Sequence, residues 1–185
     1  MNIRALIKRW VYVIVLIPLL CEGQLGDDFS DGNFTSDPLW AGDVQKFMVN
    51  DAFQLQLDDE GAGNAALFTH INLAQDMEWR CWVKQSFSPS GNNYSRIYLI
   101  ADTSFLRASP DGVFLQLGEG GSNDAIRLMR QLNGDTTSLI RATPGKIQSK
   151  LKLYIAQVFN NGMWDLFADY TGEENYLHEG SCPGS

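Results

Sequence analysis

Along most of this chain, apolar and polar residues alternate in short runs. The runs lie at 46–50, 53–57, 66–69, 78–87, 94–101, 112–118, 125–131, 137–141, 150–159 and 164–169. Clusters of Gly, Asn, Asp, Ser and Pro separate them, as in 88–93 (SPSGNN), 109–112 (SPDG) and 119–124 (EGGSND). A period of two marks a strand with one buried face, whereas a helix needs a period near 3.6. No stretch keeps a helical apolar stripe over three turns, although 71–77 allows one short helical turn. Asn133-Gly134 and Asn160-Asn161-Gly162 each sit between two runs and predict tight hairpins. Many short strands with frequent turns predict an all-β fold, a two-sheet antiparallel jelly-roll sandwich.

The alternation also sorts side chains onto faces. In 78–87, Trp79, Cys81, Val83 and Phe87 oppose Arg80, Trp82, Lys84 and Ser86. In 94–101, Ile97, Leu99 and Ala101 oppose Tyr94, Arg96 and Tyr98. Val113, Leu115 and Leu117 oppose Phe114 and Gln116, and Leu151, Leu153 and Ile155 oppose Lys152 and Tyr154. The aliphatic faces predict the core. The other faces mix aromatics with Arg, Lys and Gln. Aromatic faces stack on the C–H face of a sugar ring, and the polar side chains serve its hydroxyls. Trp82, Tyr94 and Tyr98 are therefore candidate stacking platforms, with Arg80, Arg96 and Gln116 as hydroxyl partners. The competing reading makes these aromatics cross-strand pairs or a floor for loops.

Composition narrows the class. The chain has 185 residues, net charge −8, and only 19% charged residues against 11% aromatics. An acidic surface repels phosphate backbones, so nucleic acid is not an expected partner. Arg4, Lys8 and Arg9 precede an apolar run from Trp10 to Leu20, followed by Cys21, Glu22 and Gly23. This is the layout of a signal peptide over 1–23, cut before Gln24, and it predicts a secreted or cell-surface protein. An uncleaved anchor and an acylated Cys21 compete with it. The run is short for a membrane span, and Leu20 stands where a lipoprotein needs a small residue. The β-sandwich is expected over 24–178, with 179–185 as a disordered tail or truncated end of a longer reading frame. Export permits a Cys81–Cys182 disulfide; against it, Cys81 reads as a buried small apolar residue.

Several segments carry a resemblance. Asp27-Asp28-Phe29-Ser30-Asp31-Gly32, Trp40, Phe47-Met48-Val49-Asn50 and Gln54-Leu55-Gln56-Leu57 resemble the opening of concanavalin A-like lectin/glucanase (laminin-G-like) domains. The resemblance is nearest to the N-terminal domain of secreted Bacteroidota surface proteins with lamin-tail modules. Glu78-Trp79-Arg80-Cys81-Trp82-Val83, 86–94 (SFSPSGNNY), 115–126 (LQLGEGGSNDAI) and Trp164-Asp165-Leu166-Phe167-Ala168-Asp169 extend it over nearly all of the chain after residue 23. It implies a sandwich fold and a surface location more than an activity.

Glucanases of this fold carry Glu-x-Asp-x-x-Glu on one strand, because glycoside hydrolysis needs two facing carboxylates. That pattern is absent here. So are a Gly-x-Ser-x-Gly elbow, a Cys/His zinc spacing and a phosphate loop. Domains of this kind often hold a structural calcium, which takes carboxylate oxygens. By position Asp27, Asp28, Asp31 and Asp169 are the implied ligands, while Asp28 and Asp31 also suit turn capping. The expected function is a non-catalytic module that recognises extracellular polysaccharide. The alternatives are a spacer or adhesion domain of a larger surface protein, and a divergent glycoside hydrolase.

Overall fold

The computed structural model describes residues 25–102, 110–147 and 151–184. The expected signal peptide over 1–23, including Cys21, lies outside them. Strands β1 (Ala41–Gly42), β2 (Phe47–Val49), β3 (Leu55–Leu57) and β4 (Leu67–Phe68) form two small antiparallel pairs, β1 with β4 and β2 with β3. The larger strands are β5 (Met77–Gln85), β6 (Ser95–Ala101), β7 (Gly112–Leu117) and β8 (Ile126–Leu132). They continue with β9 (Asp135–Arg141), β10 (Leu151–Asn160), β11 (Met163–Asp169) and β12 (Leu177–Pro183). One four-stranded sheet runs β6-β7-β8-β9 and the other β12-β11-β10-β5, all antiparallel.

The alternation explains the core. Leu99, Leu115, Leu117, Ile126, Leu128 and Ile140 from one sheet join Leu153, Ile155, Trp164, Leu166 and Ala168 from the other in one buried cluster. Trp79, Cys81 and Val83 pack against it from β5, and Ile97 from β6. Each fully buried Leu or Ile contributes about 1.5–3 kcal/mol relative to exposure. The chain is thus all-β among the described residues, with two antiparallel sheets facing one core, consistent with a sandwich. Both expected hairpins form: Asn133-Gly134 joins β8 to β9, and Asn161-Gly162 joins β10 to β11, each pair at positive φ.

Three expectations need correction. Residues 71–76 form no helical turn; a short 3₁₀ turn occurs at Val44–Lys46 instead. The 179–185 segment is no frayed tail through Pro183, because β12 pairs with β11 and Cys182 packs against the core. Alternation in 94–101 also breaks. A register shift between Tyr98 and Ile100 turns Ile100 to the core, where Ala101 was expected. Cys81 and Cys182 are free thiols. Their strands are opposite edges of one sheet with β10 and β11 between, so about 14 Å separates them at the usual strand spacing. A disulfide needs Cα atoms within about 7 Å.

Candidate ligand-binding faces

Two sheet faces point away from the core, and the six expected sugar-contacting residues divide between them. Arg80 and Trp82 lie on β5; Arg96, Tyr98 and Gln116 belong to the β6–β9 sheet, with Tyr94 immediately before β6. One site cannot hold all six, because the core lies between. Periodicity assigns a residue to the outward side of its strand but says nothing about which sheet the strand joins.

On the β6–β9 sheet the four residues do gather. The Arg96 guanidinium lies 4.6 Å from the Phe114 ring centre and 4.9 Å from that of Tyr94. Tyr98 and Phe114 rings are 4.8 Å apart. Arg96 Nε donates to Gln116 Oε1 at 3.1 Å, and Gln116 Nε2 donates to the Gly118 carbonyl at 2.9 Å. Phe114 is fully buried, and Gln116, Met129 and Gln131 nearly so. Burial pushes the Tyr98 phenol up. The row of Arg96 and Gln116 continues with Arg127 and Arg141, directly opposite each other. Glu119 offsets their repulsion, accepting from Arg141 Nη2 at 2.6 Å with Arg127 Nη1 at 3.8 Å. This face is a packed layer in which rings and cations are already partnered.

The outward face of β5, β10, β11 and β12 differs. Its ladder register sets three rows across the strands. Trp82, Tyr154 and Asp169 form one; Arg80, Ala156, Phe167 and His178 form the second; Glu78, Val158, Asp165 and Ser181 form the third. Trp82 and Tyr154 are half-buried cross-strand neighbours. Neither makes a ring contact or side-chain hydrogen bond among the described residues. Arg80 is exposed and pairs with Glu78 through Nε, which raises its guanidinium pKa further. Phe167 and His178 rings are 5.0 Å apart. His178 Nε2 lies 3.2 Å from Asp165 Oδ1 and 3.0 Å from Ser181 Oγ, while the Ser181 hydroxyl donates to Asp165. The same ring nitrogen meets both partners, so this trio lacks the relay of a catalytic triad, which uses both nitrogens. Tyr154, Phe167 and His178 were missed as site residues. Alternation had placed Tyr154 outward, but only the β5–β10 pairing sets it beside Trp82.

The four aspartates expected to bind calcium all accept hydrogen bonds from the chain. Asp27 Oδ1 accepts from the Phe29 amide and Oδ2 from Trp40 Nε1, at 2.9 and 2.8 Å. Asp28 and Asp31 accept from the amides of Ser30 and Asn33, each at 3.0 Å. The Ser30 bonds hold the Asp28 carboxyl below the usual range. Asp27, Asp28 and Asp31 line an open hollow with Gly26, Ser30 and Asp37. Asp169 is fully buried and takes the Thr171 amide and hydroxyl at 2.7 and 2.6 Å and the Glu174 amide at 2.7 Å. The Thr171 hydroxyl leads in lowering its pKa to about 2. Asp27, Asp28 and Asp31 thus act as turn caps, and the three bonds to Asp169 leave it about one lone pair. Among the described residues no group of three or more His, Cys, Asp or Glu is placed to hold a metal. Nor is any described helix long and apolar enough to cross a membrane. No family model, curated protein or solved structure matches the chain.

Proposed function

We propose that this chain is an exported, non-catalytic binding domain that recognises extracellular polysaccharide on the outward face of β5, β10, β11 and β12. The Trp82–Tyr154 pair carries the reading, being two adjacent aromatic side chains on an outward face with no ring partner among the described residues. A sugar ring stacks its C–H face on such a surface, and its hydroxyls need donors and acceptors around the rim. Exposed Arg80 and Lys84 flank the pair on β5. The 171–176 loop brings Glu174 and Tyr176 within electrostatic reach of Arg80. Tyr94, Arg96, Tyr98 and Gln116 then support the opposite sheet and do not touch the ligand.

A jelly roll of the concanavalin A-like kind belongs to the same proposal. Its support is the crossover: β5 and β10 are neighbours in one sheet, and the four strands between them in sequence build the other. The basic and apolar N-terminal layout supports export. The second reading is a spacer or adhesion domain of a larger surface protein. It is favoured by the closed centre of the face, where Ala156 is only 6% exposed between Arg80 and Phe167.

The test is binding of protein expressed from the full chain to a panel of soluble and insoluble polysaccharides, with Trp82→Ala, Tyr154→Ala and Tyr94→Ala variants. The expected result is saturable binding, weakened about tenfold or more in the first two and unchanged in the third. Binding lost only in Tyr94→Ala moves the site to the other sheet. No binding across the panel leaves the spacer reading.

A further inference from the structure

The two large sheets have four edge strands: β5, β12, β6 and β9. An edge strand offers unpaired N–H and C=O groups, and proteins blunt it with bulges, prolines or a covering element. The β12 ladder shifts register between Leu166 and Phe167, the β6 ladder between Tyr98 and Ile100, and the β9 ladder between Leu128 and Met129. The β12 and β9 edges also meet. Glu179 Oε2 accepts from the Thr143 amide at 2.6 Å and hydroxyl at 2.8 Å, and a Cβ at Gly180 would come within 2.9 Å of Ile140 Cγ2.

Among the described residues strand β5 shows neither a bulge nor a proline. All nine residues, Met77–Gln85, pair with β10 in unbroken register. The strand holds no proline, and β10 is its only strand neighbour among the described residues. Its inward residues Trp79, Cys81 and Val83 are only half-buried, while Leu153 and Ile155 on adjacent β10 are fully buried. The inner face of the edge strand is therefore left partly uncovered.

The sequence of β5 is also complementary to itself. A two-fold axis through its central residue, Cys81, sets residues opposite each other whose numbers average to that position. Glu78 then faces Lys84 of a second copy, and Arg80 faces Trp82, twice over by symmetry. On the inner side Trp79 faces Val83. Antiparallel pairing keeps opposed residues on the same side of the sheet, so the charged pairs stay outward and the apolar pairs inward. Opposite charges and a cation over an indole are both favourable cross-strand partners. A symmetric dimer needs one patch that complements itself in this way.

We infer that β5 is the docking edge for a second copy of this chain, pairing antiparallel with β5 of that copy about Cys81 to join two four-stranded sheets into one of eight strands. The inference is independent of the glycan reading. The pairing would set the two Trp82 side chains on one continuous outward face.

Charge reversal tests it without disturbing the fold, because Glu78 and Lys84 are exposed. Lys84→Glu sets carboxylates opposite each other twice per dimer, and Glu78→Lys does the same with ammonium groups. The double variant restores both pairs in reversed order. Sedimentation equilibrium on protein expressed from the full chain should show a dimer for the wild type. Each single reversal should weaken it about tenfold or more, and the double variant should recover it. Hydrogen exchange should protect β5 amides in the wild type and expose them in the single variants. A monomeric wild type overturns the inference, as does a dimer insensitive to single reversal or one the double variant fails to restore. Tyr154→Ala removes a sugar platform and leaves β5 untouched, so loss of sugar binding and loss of the dimer are read separately.

Discussion

Arg96 and Arg80 hold comparable places, each on the outward side of a strand beside an aromatic neighbour two residues away. Arg96 lies over Phe114, within 4.9 Å of Tyr94, and bonds to Gln116. Arg80 extends outward with a side chain 68% exposed and pairs with Glu78. The aromatic residues follow suit: Phe114 is fully buried and Trp82 half-buried. Similar residue types therefore make a packed layer on one sheet and an open platform on the other. A residue type alone does not mark a binding site. What marks one is a side chain whose interactions are not already met within the fold.

The largest expected effect comes from truncating the packed face. Phe114→Ala should cost about 3–5 kcal/mol, because it leaves a cavity between Tyr98 and Arg96. Trp82→Ala should cost less, about 1–2 kcal/mol, since part of its surface already faces water. Urea denaturation of the two variants checks this. Equal losses would break the comparison and make Trp82 a packing residue. A smaller effect is expected at Gly118, which holds φ +121 at the end of β7. An alanine Cβ there would lie 2.9 Å from Cβ of both Pro89 and Tyr94. Gly118→Ala should cost about 1–3 kcal/mol through this strain, seen as a lower melting temperature. Polysaccharide binding through Trp82 should be unchanged, because Gly118 belongs to the opposite sheet.

How far these faces were legible depends on which interactions are local. The inward sets Trp79, Cys81, Val83 and Ile97, Leu99 followed from a period of two, and so did the outward sets. The Asn-Gly turns were readable because their positive φ has a residue signature. Strand order was not readable. Tyr154 meets Trp82 by pairing across more than seventy residues of sequence, and nothing local encodes that register. Strand β12 was hidden because 179–185 (EGSCPGS) has turn composition, yet β11 offers it an edge and the core a place for Cys182. The partners of Asp169 were not readable either, because Thr171 and Glu174 reach its carboxylate only through the turn after β11.

That turn gives the finest test of the comparison, since it joins the Trp82 face to solution pH. The Asp169 carboxyl lies in the same row as Trp82 and Tyr154, and its pKa falls from an ordinary 3.8 to about 2 when the chain folds. A carboxylate with a depressed native pKa stabilises the fold fully above its unfolded value. The contribution fades as pH drops from about 5 through 2, because the unfolded chain takes up the proton first. Acid should therefore loosen residues 171–174, whose amide and hydroxyl bonds need the ionised Asp169 carboxylate. Melting temperatures of wild type and Asp169→Asn across this range give the check. The variant should start lower at neutral pH and lose less on acidification, so the two curves converge toward pH 2. Parallel curves would mean that the Thr171 and Glu174 bonds are not what holds the proton off Asp169.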